Sequence, residues 1–321
     1  MEMVVISWKS CIFALKNKNH IGMKLERVVI NKFWGKYNLD LHLDPDVNIL
    51  TGANGSGKTT ILDIVATLLL NNTNLYCHQL YDNASLYLSG NTEIRSISKN
   101  GKKVVSVYIN GKLKKYSDLD NDLAMQSVST FDSPMMPVEA IQKLKENHKW
   151  LRSELDLELN ENLNNYNKFK ASLLGQVTEL MEGEKPDLKK MRDLTAILKR
   201  LNDTINDLFA PKKTFNDKVG EVFFTLNDND KTKITLGQLS SGEKQLLILL
   251  FSTIIEDNDD YITFWDEPEV SLHIEWQRKL IRVIRQLNPN MQLIIATHSP
   301  SILFEGWEER ALNIEDYLKD E

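Results

Sequence analysis

Cysteine is nearly absent. Cys11 and Cys77 are the only two in 321 residues, they lack metal-ligand spacing, and no histidine cluster accompanies them. That argues against a disulfide scaffold or a cysteine-built zinc site and points to a reducing, cytoplasmic setting. Long hydrophobic runs are missing too. A run such as LLILLF, residues 246–251, is far below the roughly 20 residues that a spanning helix needs, so no membrane role is expected. An excess of positive charge is also lacking. The net charge of −6 argues against a broadly basic nucleic-acid surface and leaves room only for a local patch. No internal repeat or low-complexity tract is evident. What remains, 42% hydrophobic and 26% charged, is the composition of an ordinary soluble protein, long enough for one large domain or two small ones.

The N-terminal segment MEMVVISWKSCIFALKNKNH has a broken apolar stretch, an acidic second residue and no small-residue cleavage pattern. It does not read as a signal peptide. Met23 then opens KLERVVINKF, a first strand. Residues 1–22 are either an extension ahead of a start at Met23 or an extra edge strand, and both readings stay open here.

From there the chain alternates strands and helices. LERVVINKF, YNLDLHL and VNILTGA read as strands, and KTTILDIVATLLL as an apolar helix. Between residues 91 and 118, TEIRSIS, KVVSVYIN and LKKYSD are separated by KNGK and NGK, the Asn-Gly signal of tight hairpins. QSVSTF reads as a further strand, and DSPMMP breaks the chain after it. Residues 137–210 differ in kind: Glu-, Lys-, Leu- and Asn-rich, with almost no Gly or Pro and with leucines at helical spacing. They predict a helical hairpin with arms of about 25 residues, ~37 Å each. A strand pair, a helix from Glu243, the strand YITFW, a helix from about Ile274, the strand QLIIAT and a short tail complete the chain. The predicted fold is α/β: a mostly parallel central sheet, a small antiparallel β-subdomain and an inserted helical hairpin. The predicted division is 1–22 extension, 23–136 first lobe, 137–210 hairpin and 211–321 second lobe.

Four stretches carry chemistry. GANGSGKT, Gly52 to Thr59, fits G-x-x-x-x-G-K-S/T between an apolar strand and a helix, the frame of a phosphate-binding loop. Its glycines let the N–H groups of Gly52, Ala53, Asn54, Gly55, Ser56, Gly57, Lys58, Thr59 and Thr60 curl round phosphates at a helix N-terminus. Lys58 suits the β- and γ-phosphates of ATP, and the Thr59 hydroxyl suits Mg²⁺. In YITFWDEPEVSLH an apolar strand delivers Asp266, a partner for Mg²⁺, and Glu267, placed to activate a water. In QLIIATHSP, His298 follows another apolar strand and could reach a γ-phosphate or the water. Finally, Ser240-x-x-Glu243 ahead of LLILLF matches a capping box. A helix cap explains that stretch locally, while beside the other three it also reads as a second anion site.

Together these motifs resemble the ABC-type ATPases, within the RecF-, SMC- and OLD-like branch of P-loop NTPases. The resemblance implies that Ser240, Ser241, Gly242 and Glu243 are the signature, contacting ATP held by the opposite subunit in an ATP-dependent sandwich homodimer, with a higher oligomer open. It implies that Asp266 and Glu267 are the Walker B pair and His298 the switch histidine. Three points depart from transporter-type members. His273 stands where those have aspartate, a form similar to OLD nucleases and to the ATPase subunits of Septu- and retron-type phage-defence systems. The glutamine-loop position falls to Gln126 or Asp132. After the THSP strand only residues 301–321 remain, too few for the nuclease domain of OLD proteins, so an effector activity would belong to a partner protein.

The expected function is therefore an ATPase that dimerises on ATP and controls an effector, such as a nuclease, in anti-phage defence. The alternatives are a DNA repair or recombination ATPase that acts on DNA itself, and a transporter subunit. For DNA, the basic clusters are Lys102–Lys103, Lys112–Lys115 and Lys189–Arg200, with no aromatic residues interleaved in them as a stacking platform would have.

Overall fold

The structure is a computed structural model that describes residues 22–71, 80–99, 102–119, 125–129, 151, 153–182, 187–218, 221–255 and 261–320. Residues 1–21 of the N-terminal extension, and Asp132, lie outside the described residues. Two compact units emerge. One holds the described residues of 134–258 and 270–289, the other those of 6–133, 259–269 and 290–321.

The second of these contains two sheets. Strands β1 (Leu25–Phe33), β2 (Tyr37–His42), β4 (Asn83–Leu88), β5 (Thr92–Lys99), β6 (Lys102–Ile109), β7 (Lys112–Lys114) and β15 (Leu318–Asp320) form a seven-stranded sheet in the order β15-β2-β1-β4-β5-β6-β7. Every pairing in it is antiparallel. Its strands alternate buried and less buried residues, as in β4, so one face packs on the core. The predicted NGK turn joins β6 to β7 with both Asn110 and Gly111 at positive φ, as a primed hairpin turn requires.

Strands β3 (Val47–Thr51), β8 (Met125–Ser129), β12 (Ile262–Asp266), β13 (Gln292–Ala296) and β14 (Ala311–Asn313) form the other sheet, in the order β14-β3-β13-β12-β8. All its pairings are parallel. Strand β13 is buried along its whole length, the mark of a strand covered on both faces. Helix α1 (Lys58–Leu69) packs against β5 of one sheet and against β12 and β13 of the other. It buries Ile61, Leu62, Ile64, Val65, Leu68 and Leu69 in a core that also takes Val28, Leu86, Phe264 and Ile294.

This corrects the expected balance of the sheets. The antiparallel sheet has seven strands and the parallel one five, so the β-structure is not mostly parallel and the antiparallel part is not small. Strands β1 and β2 were legible as strands, but alternation says nothing about which neighbour a strand takes. By pairing with β4, β1 joins both of them to the hairpin strands.

In the other unit the hairpin arms are α2 (Glu154–Glu182) and α3 (Leu188–Phe209), 29 and 22 residues long. Leu159, Tyr166, Phe169 and Leu173 line one stripe of α2, and Ile197, Leu201, Ile205 and Phe209 line one stripe of α3. Helix α4 (Ser241–Ile255) takes the α2 stripe, with Phe251 stacked on Tyr166 at 4.9 Å between ring centres. Strands β9 (Lys213–Lys218), β10 (Glu221–Leu226) and β11 (Lys233–Ile234) form a small antiparallel sheet. Helix α5 (Ile274–Leu287) follows in the same unit. Among the described residues, no helix is long and apolar enough to cross a membrane.

Candidate functional site

Parallel pairing brings distant stretches to one level. Asp266 of β12 stands opposite Ala296 of β13, and Ala296 stands opposite Leu50 of β3. The residues just beyond these three positions are Glu267, the Thr297–His298 pair, and the loop that opens at Gly52. The carboxyl ends of adjacent parallel strands are where open α/β sheets bind ligands.

The loop from Gly52 to Gly57 bends through backbone conformations that side chains avoid. Gly57, the residue capping α1, has φ +97°, and a Cβ there would lie 2.8 Å from Phe33 Cε1. Gly52, at φ +142°, would bring a Cβ within 2.8 Å of Ser56 Oγ. Ala53, Asn54 and Gly55 are exposed at the crest, Thr59 is exposed and Thr60 half-buried. Lys58 is buried, and its Nζ donates to the carbonyls of Gly52 and Ala53, each at 3.0 Å. The Ser56 hydroxyl is buried and makes no hydrogen bond among the described residues. An ammonium held by loop carbonyls, and a buried hydroxyl that is unpaired among the described residues, both fit a phosphate group.

The Thr59 hydroxyl donates to Asp266 Oδ1 at 3.1 Å. Burial pushes the Asp266 carboxyl up to about 6. The Thr59 hydrogen bond acts against that rise, and nearby Glu267 and Asp63 add to it. A hydroxyl and a desolvated carboxylate are the hard oxygen donors that suit Mg²⁺.

Glu267 takes up a left-handed backbone at φ +48°, with its N–H donating to Ala296 O at 2.8 Å. A non-glycine residue held there carries strain of the kind that clusters at functional sites. Its Oε2 lies 2.7 Å from His298 Nδ1, so the expected base and the expected histidine are in direct contact. Behind them sits Glu269, only 3% exposed. The Thr297 hydroxyl donates to Glu269 Oε1. Burial pushes Glu269 up to about 7, although the Thr297 bond favours its charged form, and contact with Glu267 raises it further. Glu267, Glu269 and His298 have ligand atoms within 4.8 Å of one another. Two of those atoms, Glu267 Oε2 and His298 Nδ1, already face each other at 2.7 Å.

Glu269, Thr297 and Glu315 were not anticipated from the sequence. Glu315 accepts a hydrogen bond from the Ala53 N–H at 3.2 Å. The available signal for Glu269 was an acid directly after Pro268 and before Val270, next to an apolar strand. Of the glutamine-loop candidates, Gln126 lies on β8 opposite Thr263, with its side chain outside the described residues.

The expected signature lies in the other unit. There Ser240 and Glu243 form the capping box: Ser240 N–H donates to Glu243 Oε2 at 2.9 Å, and Glu243 N–H to Ser240 Oγ at 3.4 Å. Burial opposes ionisation of Glu243, but Lys213 Nζ at 2.6 Å and the Ser240 N–H outweigh it and hold the carboxyl below its usual range. Ser240 and Ser241 remain exposed. Gly242 has a steric reason of its own, since a Cβ would run into the backbone carbonyl of Ser271. Gly242→Ala should destabilise the protein by about 1–3 kcal/mol through overpacking, read as a lowered melting temperature; an unchanged melt would mean that segment yields freely. His273 caps α5, its Nδ1 accepting the Glu275 N–H at 3.3 Å, which gives it a structural role.

Comparison with known proteins is consistent with this geometry. The family model described as "AAA domain, putative AbiEii toxin, Type IV TA system" matches residues 138–303, more than half of the chain. A second, "P-loop containing region of AAA domain", matches residues 25–79. The chain is 23% identical to Septu protein PtuA of Bacillus thuringiensis, over 87% of this chain and 72% of that protein. It is 22% identical to a Vibrio cholerae protein named Retron Vc95 probable ATPase, over 81% of this chain and 67% of that one. Among solved structures, the Smc head domain of Pyrococcus furiosus, bound to the C-terminal domain of ScpA, superposes with a TM-score of 0.53. Its identity is 15%, over 93% of this chain and 96% of that one.

Proposed function

The chain belongs to this AAA-domain family, and from that premise we propose that it binds and hydrolyses ATP at the carboxyl ends of β3, β12 and β13. The observation that carries the reading is the meeting of Lys58, Thr59, Asp266, Glu267 and His298 at the ends of three strands in shared register. Lys58 exchanges the carbonyls of Gly52 and Ala53 for the β- and γ-phosphates. Thr59 and Asp266 would hold Mg²⁺, which would supply neutralisation of the phosphate charge. Glu267 takes the proton of the attacking water, and His298 fixes that carboxylate and faces the γ-phosphate.

Two further parts belong to the proposal. Exposed Ser240 and Ser241 at a helix N-terminus suit an anion brought by a second copy, giving an ATP-dependent dimer. Likeness to the Septu and retron proteins supports a role in anti-phage defence, with the ATP cycle controlling an effector protein such as a nuclease. Direct DNA binding is less favoured. The arginines that meet aromatic rings on the antiparallel sheet, Arg27 at Tyr87 and Arg95 at Tyr108, are each already held by a carboxylate, Asp40 and Glu93.

The test is Lys58→Ala. Titration with a fluorescent ATP analogue should show affinity reduced by about 10²-fold or more, the effect of removing one member of a buried charged pair, with an unchanged melting temperature. Wild-type affinity in that variant would move the nucleotide site elsewhere.

A further inference from the structure

We propose that Glu269 is a positioning residue for hydrolysis: fixed by the Thr297 hydroxyl, its buried carboxyl backs Glu267 and holds that carboxylate against His298. The proposal rests on the reading of Glu267 as the group that takes the proton from water. A glutamate is rarely this buried unless it is paired, and an apolar side chain of similar volume would fill the space without the desolvation cost. The partners of Glu269 explain why a carboxyl stands there. Its Oε1 accepts the Thr297 hydroxyl, and the same hydroxyl oxygen accepts the Ser299 N–H at 2.9 Å. The residues on both sides of His298 are thereby tied to one carboxyl. Thr297 N–H also donates to Leu50 O at 3.0 Å, anchoring the assembly to the strand that leads into the phosphate-binding loop.

On its other side the Glu269 carboxyl comes within 4.8 Å of Glu267, whose Oε2 meets His298 Nδ1 at 2.7 Å. Glu267 needs such a restraint. Its left-handed backbone is strained, so its conformation persists only where the surroundings over-determine it. The chain of contacts Ser299–Thr297–Glu269–Glu267–His298 closes on itself within three consecutive residues of each of two strand ends. The base and the histidine therefore cannot drift apart without breaking it.

Thr297→Val keeps the side-chain volume and removes the hydroxyl; Thr297→Ser restores it. Glu269→Gln keeps an acceptor for Thr297 and a polar side chain of the same length beside Glu267, whereas Glu269→Ala removes both. Steady-state ATPase assays should give kcat about 10–100-fold lower for Thr297→Val and Glu269→Ala, the scale of a misplaced catalytic group. KM and the affinity for a fluorescent ATP analogue should stay within about threefold. Thr297→Ser and Glu269→Gln should remain near wild type. Wild-type kcat in Thr297→Val and Glu269→Ala, or loss of affinity in proportion to kcat, would overturn the proposal, as would equal damage from Glu269→Gln and Glu269→Ala. A crystal structure of Thr297→Val adds a readout that does not depend on activity. Separation of Glu267 from His298 supports the positioning role, and an intact contact overturns it. A wild-type protein that binds ATP without hydrolysing it would defeat the reading of Glu267 instead, and the crystallographic comparison would still judge Glu269.

Discussion

Glu267→Gln lowers ATP turnover by about 10²–10⁴-fold, the contribution of a positioned general base, and leaves ATP binding intact. The amide has the size of the carboxylate and can still hydrogen-bond His298, now 2.7 Å away, so the local geometry survives. What the amide lacks is the ability to take a proton. Lys58, Thr59 and Asp266 are untouched, so nucleotide still enters. With ATP bound and hydrolysis blocked, the ATP-bound assembly accumulates, and light scattering should report a doubling of mass on adding ATP and Mg²⁺. A Glu267→Gln protein that stays monomeric with ATP would end the sandwich-dimer proposal, and one that hydrolyses ATP at the wild-type rate would remove Glu267 from the chemistry.

Ser240→Arg separates the two readings of the serine-rich helix start. The capping contact from Glu243 N–H to Ser240 Oγ is long, at 3.4 Å, while the stronger one from Ser240 N–H to Glu243 Oε2 uses only backbone of residue 240. Losing the serine side chain should cost about 0.5–2 kcal/mol of stability at most. Glu243 stays held by Lys213, and Lys244, the next residue, stays in its buried pair with Asp156 at 2.6 Å. The fold and ATP binding at the chain's own loop should therefore persist. Turnover should fall on the order of 10²–10³-fold, as when a donor to a reacting anion is lost, and ATP-dependent dimerisation should disappear. Mixing supplies the decisive control. Ser240→Arg retains its phosphate-binding loop and Lys58→Ala retains its signature, so together they can form one intact composite site. Turnover in the mixture that neither variant shows alone supports a site shared between copies. Inactivity of the mixture, or a Ser240→Arg protein that unfolds, leaves the segment as a helix cap only.

The limits of sequence reading follow from the range of the forces involved. The phosphate-binding loop was legible because its shape is set within eight contiguous residues, by glycines at positive φ and a helix start. The capping box was legible for the same reason. The hairpin followed from a 3.6-residue period, although its α2 arm proved longer than its α3 arm. Strand β9 was missed because KTFNDK is polar. It forms through its pairing with β10, where Phe215 meets Phe224. In the predicted tail, β14 and β15 exist by pairing with β3 and β2, far away in the chain.

By itself the sequence determined the parts: the loop that can cradle phosphate, the acidic and histidine-bearing strand ends, the capped helix and the two long helical arms. Each is specified by short-range sterics, hydrogen bonding or periodic burial. Only the tertiary structure decided how they meet. The register that aligns Leu50, Ala296 and Asp266 depends on burying both faces of a sheet whose strands come from three separate regions of the chain. The burial of Glu269 against Thr297 depends on that register in turn. A strand's alternation marks which faces can be buried, but its partners are chosen by the packing of the whole unit.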